Sequence, residues 1–268
     1  MTPIPFFQVD AFADPARPFT GNPAAVMPLT EWLPDAMMQA IAAENNLSET
    51  AFTVASDQED ADYDLRWFTP GMEVELCGHA TLAAGHVLIH GDKVRFSTKS
   101  GVLTVSRKED VLLLDLPAAP LTEARDPALC QALGLPDSPV WLAEGCNDAA
   151  IVALADEAAV RAVAPDFRAL GAIHRMAIVT APGERQDIAS RVFVPYGGID
   201  EDPVTGSAHA ALVPFWAERL GRTHFTALQA SKRTGVLHCE LAPAPAKAGD
   251  RVILGGHCVT VIEGHFQI

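Results

Sequence analysis

The sequence is poor in basic residues and has no long apolar run. It holds 19 lysines and arginines against 34 acidic residues, for a formal charge of −15 at pH 7. A chain this acidic repels nucleic-acid phosphates and anionic membranes at long range, so neither is an expected partner. No apolar stretch reaches the ~18 residues of a membrane helix, and the first residues lack the basic and apolar regions of a secretion signal. We therefore expect a soluble, cytoplasmic protein.

Cofactor and metal signatures are also missing. The five cysteines form no C-x-x-C pair and no regular framework, which argues against disulfides and structural zinc and fits a reducing cytosol. Neither of the two glycine-rich nucleotide fingerprints occurs, so no nucleotide cofactor is expected. His79, His86 and His90 fall near one helix face, but no carboxylate follows at ligand spacing. We expect no cofactor and no metal. The cysteines are Cys77, Cys130, Cys146, Cys239 and Cys258.

What the sequence does contain is one pattern written twice. Residues 66–70 read Arg-Trp-Phe-Thr-Pro and precede Cys77-Gly78-His79-Ala80. Residues 191–195 read Arg-Val-Phe-Val-Pro and precede Thr205-Gly206-Ser207-Ala208. Each copy runs Arg-x-Phe-x-Pro, a short irregular stretch, a glycine and then an alanine-rich segment typical of a helix. The repetition favours two similar domains.

Each predicted domain combines mostly antiparallel strands with one apolar central helix, which is an α+β fold. At 268 residues the chain has room for two domains of ordinary size. The Pro-rich, charged stretch from Pro117 to Pro127 marks the boundary, giving domains 1–118 and 119–268, with the last strands able to cross back to the first domain. The clearest predicted elements are strands at 4–11 and 63–68 and helices at 33–43, 80–90, 158–170 and 208–220.

The two glycine turns predict an anion site. Amide N–H groups at a helix start have no intrahelical partner and lie at the positive end of the helix dipole, and the glycines Gly78 and Gly206 let a ligand approach closely. If both helix starts face one cleft, a small carboxylate fits there. Titratable groups cluster around the turns, which indicates acid–base chemistry, with Ser207 as a neutral donor. These groups are Glu49, Glu75, Cys77, His79, Glu201, Asp202 and His209.

Several longer motifs resemble the PhzF-like (phenazine-biosynthesis isomerase-like) family, which has the diaminopimelate-epimerase-like fold. They occur in the family's order across most of the chain. The matching stretches are Asp10-Ala11-Phe12, Gly21-Asn22-Pro23-Ala24-Ala25-Val26, Asn46-Leu47-Ser48-Glu49, Arg66-Trp67-Phe68-Thr69-Pro70, Leu76-Cys77-Gly78-His79-Ala80 and Glu201-Asp202-Pro203-Val204-Thr205-Gly206-Ser207-Ala208.

The resemblance implies two pseudo-symmetric half-barrel domains, each wrapped on its central helix, a site between them and a homodimer. It implies that Glu49 is the acid–base group and that His79 and Asp202 are further catalytic positions. Ser207 and the amides of Gly78 and Gly206 fall on substrate-binding positions. In the phenazine pathway such an enzyme isomerises a dihydrohydroxyanthranilate without a cofactor. Residues 76–80 differ from that enzyme's Phe-Ala-Gly-His-Pro and look more like the family's uncharacterised branch, so the substrate stays open.

The cysteine positions bear on the type of reaction. Racemases and epimerases of the related fold use two thiols, one from each turn. Here Cys77 stands in the first turn, but Thr205 occupies the matching place in the second, and no cysteine lies between Cys146 and Cys239. A single base that shifts a proton within the substrate fits this inventory, with Cys77 as a substrate-binding neighbour. Two alternatives remain open: a metabolite-binding protein without catalysis, and a Cys77-dependent epimerase or hydrolase.

Overall fold

The computed structural model describes residues 3–144, 148–243 and 249–268, so Cys146 lies outside the described residues. Contacts divide the chain into two compact units. The first comprises Met1–Asp115 together with Gly255–Ile268, and the second comprises Leu116–Leu254. Within the described ranges, none of the helices combines the length and apolarity that a membrane crossing demands.

Strands outnumber helices throughout. The first half contains β1 (Ile4–Ala13), β2 (Asn22–Pro28), α1 (Asp35–Asn45), β3 (Glu49–Ala55), β4 (Tyr63–Phe68), β5 (Glu73–Val74), α2 (Gly78–Leu88), β6 (Lys93–Thr98), β7 (Gly101–Lys108) and β8 (Val111–Pro117). The remainder contains β9 (Leu121–Arg125), α3 (Pro127–Ala132), β10 (Pro139–Ala143), β11 (Ala149–Ala153), α4 (Glu157–Ala162), α5 (Phe167–Gly171), β12 (Ala177–Pro182), β13 (Ile188–Val194), a 3-10 turn (Pro195–Gly197), β14 (Ile199–Asp202), α6 (Gly206–Leu220), β15 (His224–Gln229), β16 (Gly235–Ala242) and β17 (Arg251–Phe266).

The sheet of the first unit closes on itself. β1 pairs with β2 and β17, and the pairings continue through β3, β4, β6 and β7 to β8, which pairs with β17. The result is a closed barrel of 8 strands, in which β2–β3 and β4–β6 are parallel. Helix α2 packs against β1, β2, β3 and β7, and most of its side chains are buried. Its apolar sequence is therefore explained by its place in the core.

The second unit repeats the same order of pairings. β11 runs parallel to β12, β12 pairs antiparallel with β13, and β13 takes β14 on one side and β15, in parallel, on the other. This matches β2, β3, β4, β5 and β6 of the first unit pair by pair. The second buried helix, α6, follows β14 just as α2 follows β5. The doubled sequence motif thus corresponds to a doubled strand topology.

The two Arg-x-Phe-x-Pro motifs hold equivalent ion pairs. Arg66 binds both carboxylate oxygens of Glu73, at 2.8 and 3.0 Å. Arg191 binds both oxygens of Glu201, at 2.7 and 2.9 Å. Each guanidinium also lies over the phenylalanine ring of its own motif, at 5.2 and 4.9 Å. In each unit a bidentate ion pair therefore holds the short strand before the buried helix, β5 or β14, against its neighbour. Such pairs fix geometry as well as adding stability.

A proline inside α6 is compensated by the neighbouring chain. Pro214 has no N–H and so leaves the carbonyl of Ala210 without its helical partner. The amide of Ala119 donates to that carbonyl at 3.0 Å. The helix continues through Pro214 to Leu220 and ends at Gly221, whose left-handed backbone (φ 64°) stops it.

Most predicted elements are present, but one predicted helix is divided into two. The strand predicted at 63–68 has those bounds, and the central helices start two residues earlier than predicted. The helix predicted at 158–170 is two short helices, because Pro165 interrupts it and Asp166 caps a new start by accepting from two amides at 3.0 Å. The stretch 117–127, predicted as the domain boundary, contains strand β9, and the prediction lacked β14 and β15.

Close packing of α2 against β7 gives a test of the first unit's core. A Cβ added to Gly85 would lie 2.6 Å from Val105 Cγ1. We expect Gly85→Ala to lower the free energy of unfolding by about 1–3 kcal/mol in spite of the better helix propensity of alanine. Urea unfolding measures this change. Adding Val105→Ala should recover part of the loss, while Gly264→Ala, with no atom near its Cβ, should have little effect.

The Arg66–Glu73 pair predicts a pH dependence of stability. The hydrogen bond from Arg66 lowers the pKa of Glu73 to about 2, below its ordinary 4.5. The carboxylate therefore stabilises the fold above about pH 4.5, and this contribution is lost as pH falls toward 2. We expect Glu73→Gln to cost about 1–3 kcal/mol at neutral pH and progressively less on acidification. Urea unfolding across this pH range measures the free energy of unfolding of each variant. Equal stabilities of Glu73→Gln and the exposed control Glu75→Gln at neutral pH would contradict the prediction.

Candidate active site

The start of α2 is shaped by Cys77. This residue occupies the N-cap position with an extended backbone (φ −142°, ψ 109°), and no side chain makes a capping hydrogen bond there. Gly78 is the first helical residue and is buried. The hydroxyl of Thr81 donates to the Cys77 carbonyl at 2.5 Å, which fixes the turn from inside the helix. The first-turn amides of α2 are thus left without a side-chain cap, the arrangement that an anion site needs.

Glu49 and His79 meet beside this turn. Glu49 opens strand β3, His79 is the second residue of α2, and Oε2 of the carboxylate lies 3.0 Å from Nε2 of the ring. The side chains are only 14% and 4% exposed. The approach is at ion-pair distance but not aligned as a hydrogen bond, and within the described residues neither atom has another hydrogen-bond partner. The two buried polar atoms are therefore each other's partner in an ion pair whose geometry is not that of a hydrogen bond.

The other ring nitrogen of His79 is held by Asn22. Its Nδ2 lies 3.2 Å from His79 Nδ1, and the Ser48 hydroxyl donates to its Oδ1 at 2.9 Å. With the amide donating, Nδ1 accepts and the proton of a neutral ring sits on Nε2, toward Glu49. A half-turn of the carboxamide would let Oδ1 accept from a protonated Nδ1, with Ser48 accepting in turn. The same contacts can therefore serve both charge states of His79.

Charges and burial perturb both titratable neighbours of Glu49. Burial alone lowers the pKa of His79, but the Glu49 carboxylate raises it, and the net pKa lies well above its ordinary value. Burial and the charge of Glu49 raise the pKa of Cys77, His79 lowers it, and the net value is about 11. At neutral pH Cys77 is consequently a protonated thiol, a poor nucleophile and a poor base.

The same three residues are the one group of potential metal ligands found within the described parts of the chain, with donor atoms inside 4.8 Å. Cys77 Sγ lies 3.5 Å from Nδ1 of His79, whereas Glu49 contacts Nε2. His86 bonds Thr260 Oγ1 at 3.1 Å, and His90 is exposed.

The second turn has the same backbone but different chemistry. Thr205 is the extended N-cap of α6 (φ −114°, ψ 106°), again without a side-chain cap. Its hydroxyl donates to Asp202 Oδ2 at 2.5 Å, and both residues are buried. Gly206 is the first helical residue and is buried, while Ser207 follows it half-buried. A carboxylate, Asp202, therefore stands where the first unit has Val74 at the end of β5.

Three candidate titratable groups have other roles. Glu201 is bound to Arg191, and Glu75 is exposed. His209 is fully buried and donates from Nδ1 to the Thr205 carbonyl at 2.8 Å. Burial lowers the pKa of His209 to about 4, so its ring is neutral at physiological pH and serves to hold the helix start. None of these three groups is placed for acid–base chemistry beside the turns.

The structure brings Glu49, Cys77 and His79 together in the first unit, at the start of the helix that Gly78 opens. The remaining predicted residues lie at the start of α6 in the second unit. Sequence reasoning missed Asn22 as a partner of His79, although it stood in a quoted motif. The two residues are 57 positions apart, and no local pattern connects them.

Known proteins resemble this chain in sequence over nearly its whole length. The sequence profile of the family described as "PhzC-PhzF: Phenazine biosynthesis-like protein" matches residues 9–264. Two Pseudomonas aeruginosa proteins named as uncharacterized isomerases are each 48% identical over 272 residues, covering 99% of this chain and 99% of each relative.

Solved structures agree. The Enterococcus faecalis phenazine biosynthesis protein of the PhzF family superposes with a TM-score of 0.85 at 43% identity, covering 100% of both chains. A probable proline racemase of Agrobacterium radiobacter has a TM-score of 0.68 at 10% identity, covering 99% of this chain and 93% of that one. This second likeness concerns the fold alone.

The high pKa and burial of Cys77 predict low reactivity. With a pKa of about 11, about one thiol in ten thousand is ionised at pH 7. We expect iodoacetamide to leave Cys77 unmodified in the folded protein under conditions that alkylate it fully in urea. Peptide mapping by mass spectrometry resolves this cysteine from the others. Native-state labelling of Cys77 at a rate close to that in urea would show that its thiol is accessible and activated.

Proposed function

Because the chain belongs to the PhzC-PhzF, phenazine biosynthesis-like family, we propose that it is an isomerase that moves a proton within a small carboxylate substrate without a cofactor. The names of the relatives at 48% identity support an isomerase-type activity. We infer the proton shift, the acid–base group and the substrate class from the geometry of the first turn. We propose the cytoplasm as the compartment and a homodimer as the assembly, from the cysteine usage and the family resemblance.

The observation that carries the proposal is the contact between Glu49 and His79. Both facing atoms are buried, 3.0 Å apart, and without a directed hydrogen bond inside the described protein. The ion pair leaves the hydrogen-bonding capacity of both buried atoms incompletely used, so the arrangement favours a ligand that completes it. A substrate C–H or O–H proton beside Glu49 would do so. Glu49 would take that proton and return it to another carbon on the same face.

His79 and the helix start would balance the charge. A His79 pKa well above its ordinary value favours an imidazolium beside the substrate, which can hydrogen-bond a carboxylate or the negative charge that develops during proton removal. The uncapped first turn adds the Gly78 amide and the positive end of the helix dipole. In the second unit we propose that Asp202, Ser207 and the Gly206 amide bind substrate.

The inventory of bases favours one carboxylate over two thiols. Cys77 is protonated at neutral pH, and the equivalent N-cap of the second unit is Thr205. A two-thiol racemase would need an ionised cysteine in one turn and a second cysteine in the other. We therefore propose isomerisation by a single base, with Cys77 as a neutral neighbour of the substrate.

Loss of the base provides the direct test. We expect Glu49→Gln to fold normally and to lose about 10²–10⁴-fold in activity, the usual contribution of general acid–base catalysis. NMR in D₂O can record C–H exchange across a panel of small carboxylates, before a natural substrate is known. Glu44→Gln, an exposed change on α1, is the matched control. Cys77→Ala should keep most of the exchange activity.

Two outcomes would overturn the mechanism. Exchange by Glu49→Gln at near wild-type rates would remove Glu49 from it. Racemisation of proline or diaminopimelate that Cys77→Ala abolishes would establish a two-base reaction. Binding of a carboxylate, measured by calorimetry, with no exchange by the wild-type protein would instead favour a metabolite-binding protein.

A further inference from the structure

Thr205 does not use its hydroxyl as an N-cap threonine usually does. Threonine at this position normally accepts a hydrogen bond from an amide of the first turn. Here no such capping bond is made, and the hydroxyl donates to Asp202 Oδ2 at 2.5 Å. The helix start thus forgoes a stabilising cap, and its hydroxyl is directed at the carboxylate instead.

Gln229 fixes the direction of this bond. Its side chain, at the end of β15, is fully buried. Oε1 accepts from the Thr205 amide at 2.8 Å, and Nε2 donates both to the Asp202 carbonyl at 2.8 Å and to the Thr205 hydroxyl oxygen at 3.1 Å. A flipped amide would set Oε1 against a carbonyl and Nε2 against an N–H, so one orientation satisfies the site.

Because the Thr205 oxygen receives a hydrogen from Gln229, its own single hydrogen is committed to Asp202. Oδ2 is therefore an acceptor in this bond, and a hydrogen bond donated to a carboxylate oxygen favours the ionised form over the neutral acid. We propose that Gln229 and Thr205 are positioning residues that hold the Asp202 carboxylate ionised, so that it receives a hydrogen bond from a donor group of the substrate and does not act as a proton donor. This proposal rests on the proposed function in that it takes Asp202 to contact the substrate.

Neighbouring charges do not change in the comparison that tests this. Glu201 on β14 is bound to Arg191 on β13, and His209 on α6 is neutral because burial lowers its pKa to about 4. Lys232 and Arg233 follow Gln229 in the turn after β15. All of these groups are retained when Thr205 alone is altered, so their contributions cancel between variants.

The test compares Thr205→Val with Thr205→Ser. Valine keeps the shape and removes the hydroxyl, whereas serine keeps it, and neither change removes a helix cap. Carboxyl ¹³C NMR of the substrate-free protein should show the titration of Asp202 moving to higher pH by about one to two units in Thr205→Val, since the lost bond is one to a charged group. Thr205→Ser should restore it. Thr223→Val, at an exposed threonine, is the control.

The proposed positioning role would be overturned if the titration of Asp202 were unchanged in Thr205→Val. It would also be overturned if Thr205→Ser shifted that titration as much as Thr205→Val. The activity arm is separate. The acid limb of the pH profile for C–H exchange should move upward in Thr205→Val with the NMR titration. If the NMR shift occurs while the wild-type protein catalyses no C–H exchange, the positioning role of Thr205 and Gln229 is supported and the proposed function fails.

Discussion

Both buried helices start from an extended residue whose own side chain makes no capping hydrogen bond, and the chemistry of each unit depends on this shared constraint. A helix start holds N–H groups without intrahelical partners, and natural helices usually satisfy one of them with a polar side chain. At Cys77 and Thr205 that bond is absent. The side chains that would normally close the turn are turned to other neighbours, the thiol to an imidazole and the hydroxyl to a carboxylate.

Around these two starts the scaffold is repeated while the reactive groups differ. The Arg–Glu pair recurs at equivalent register positions, with Glu73 opposite Phe68 and Glu201 opposite Phe193. The back-bond to the N-cap carbonyl recurs too, from Thr81 in one unit and from His209 in the other. The first unit adds a carboxylate–imidazole contact and the second a fixed acceptor. Duplication has thus kept the supports and changed the chemistry.

Local signals explain how much the sequence could predict. Strand β4 alternates large apolar residues, and both glycine turns precede alanine-rich helices, so these elements were predictable from periodicity and turn chemistry. The break between α4 and α5 was also visible, because Pro165 followed by Asp166 is a stop and a start, but the apolar spacing on either side outweighed it. Strand β14, Ile199–Asp202, is short and polar and gave no strand signal.

Side-chain networks lay beyond local reasoning. Glu49 was assigned through a motif, while its contact with His79 arises only when β3 and α2 pack together. Gln229 lies 24 residues from the Thr205 amide it binds, at the end of a strand that the prediction lacked. Without the register of this strand, the position of its buried amide side chain cannot be predicted. Nonlocal polar contacts of this kind require the assembled fold.

Strand β17 belongs mainly to the first unit, although it follows the second unit in the sequence. Its partner β1 lies at the other end of the chain, with Ile4 opposite Phe266. The second unit, by contrast, is one continuous segment, Leu116–Leu254. A ribosome adds about 5–20 residues per second, so the edge of β1 waits tens of seconds for its partner, and domains elsewhere usually fold in order of emergence. Here the first unit is completed only after the second unit has been synthesised, and until then the nascent chain carries an open strand edge.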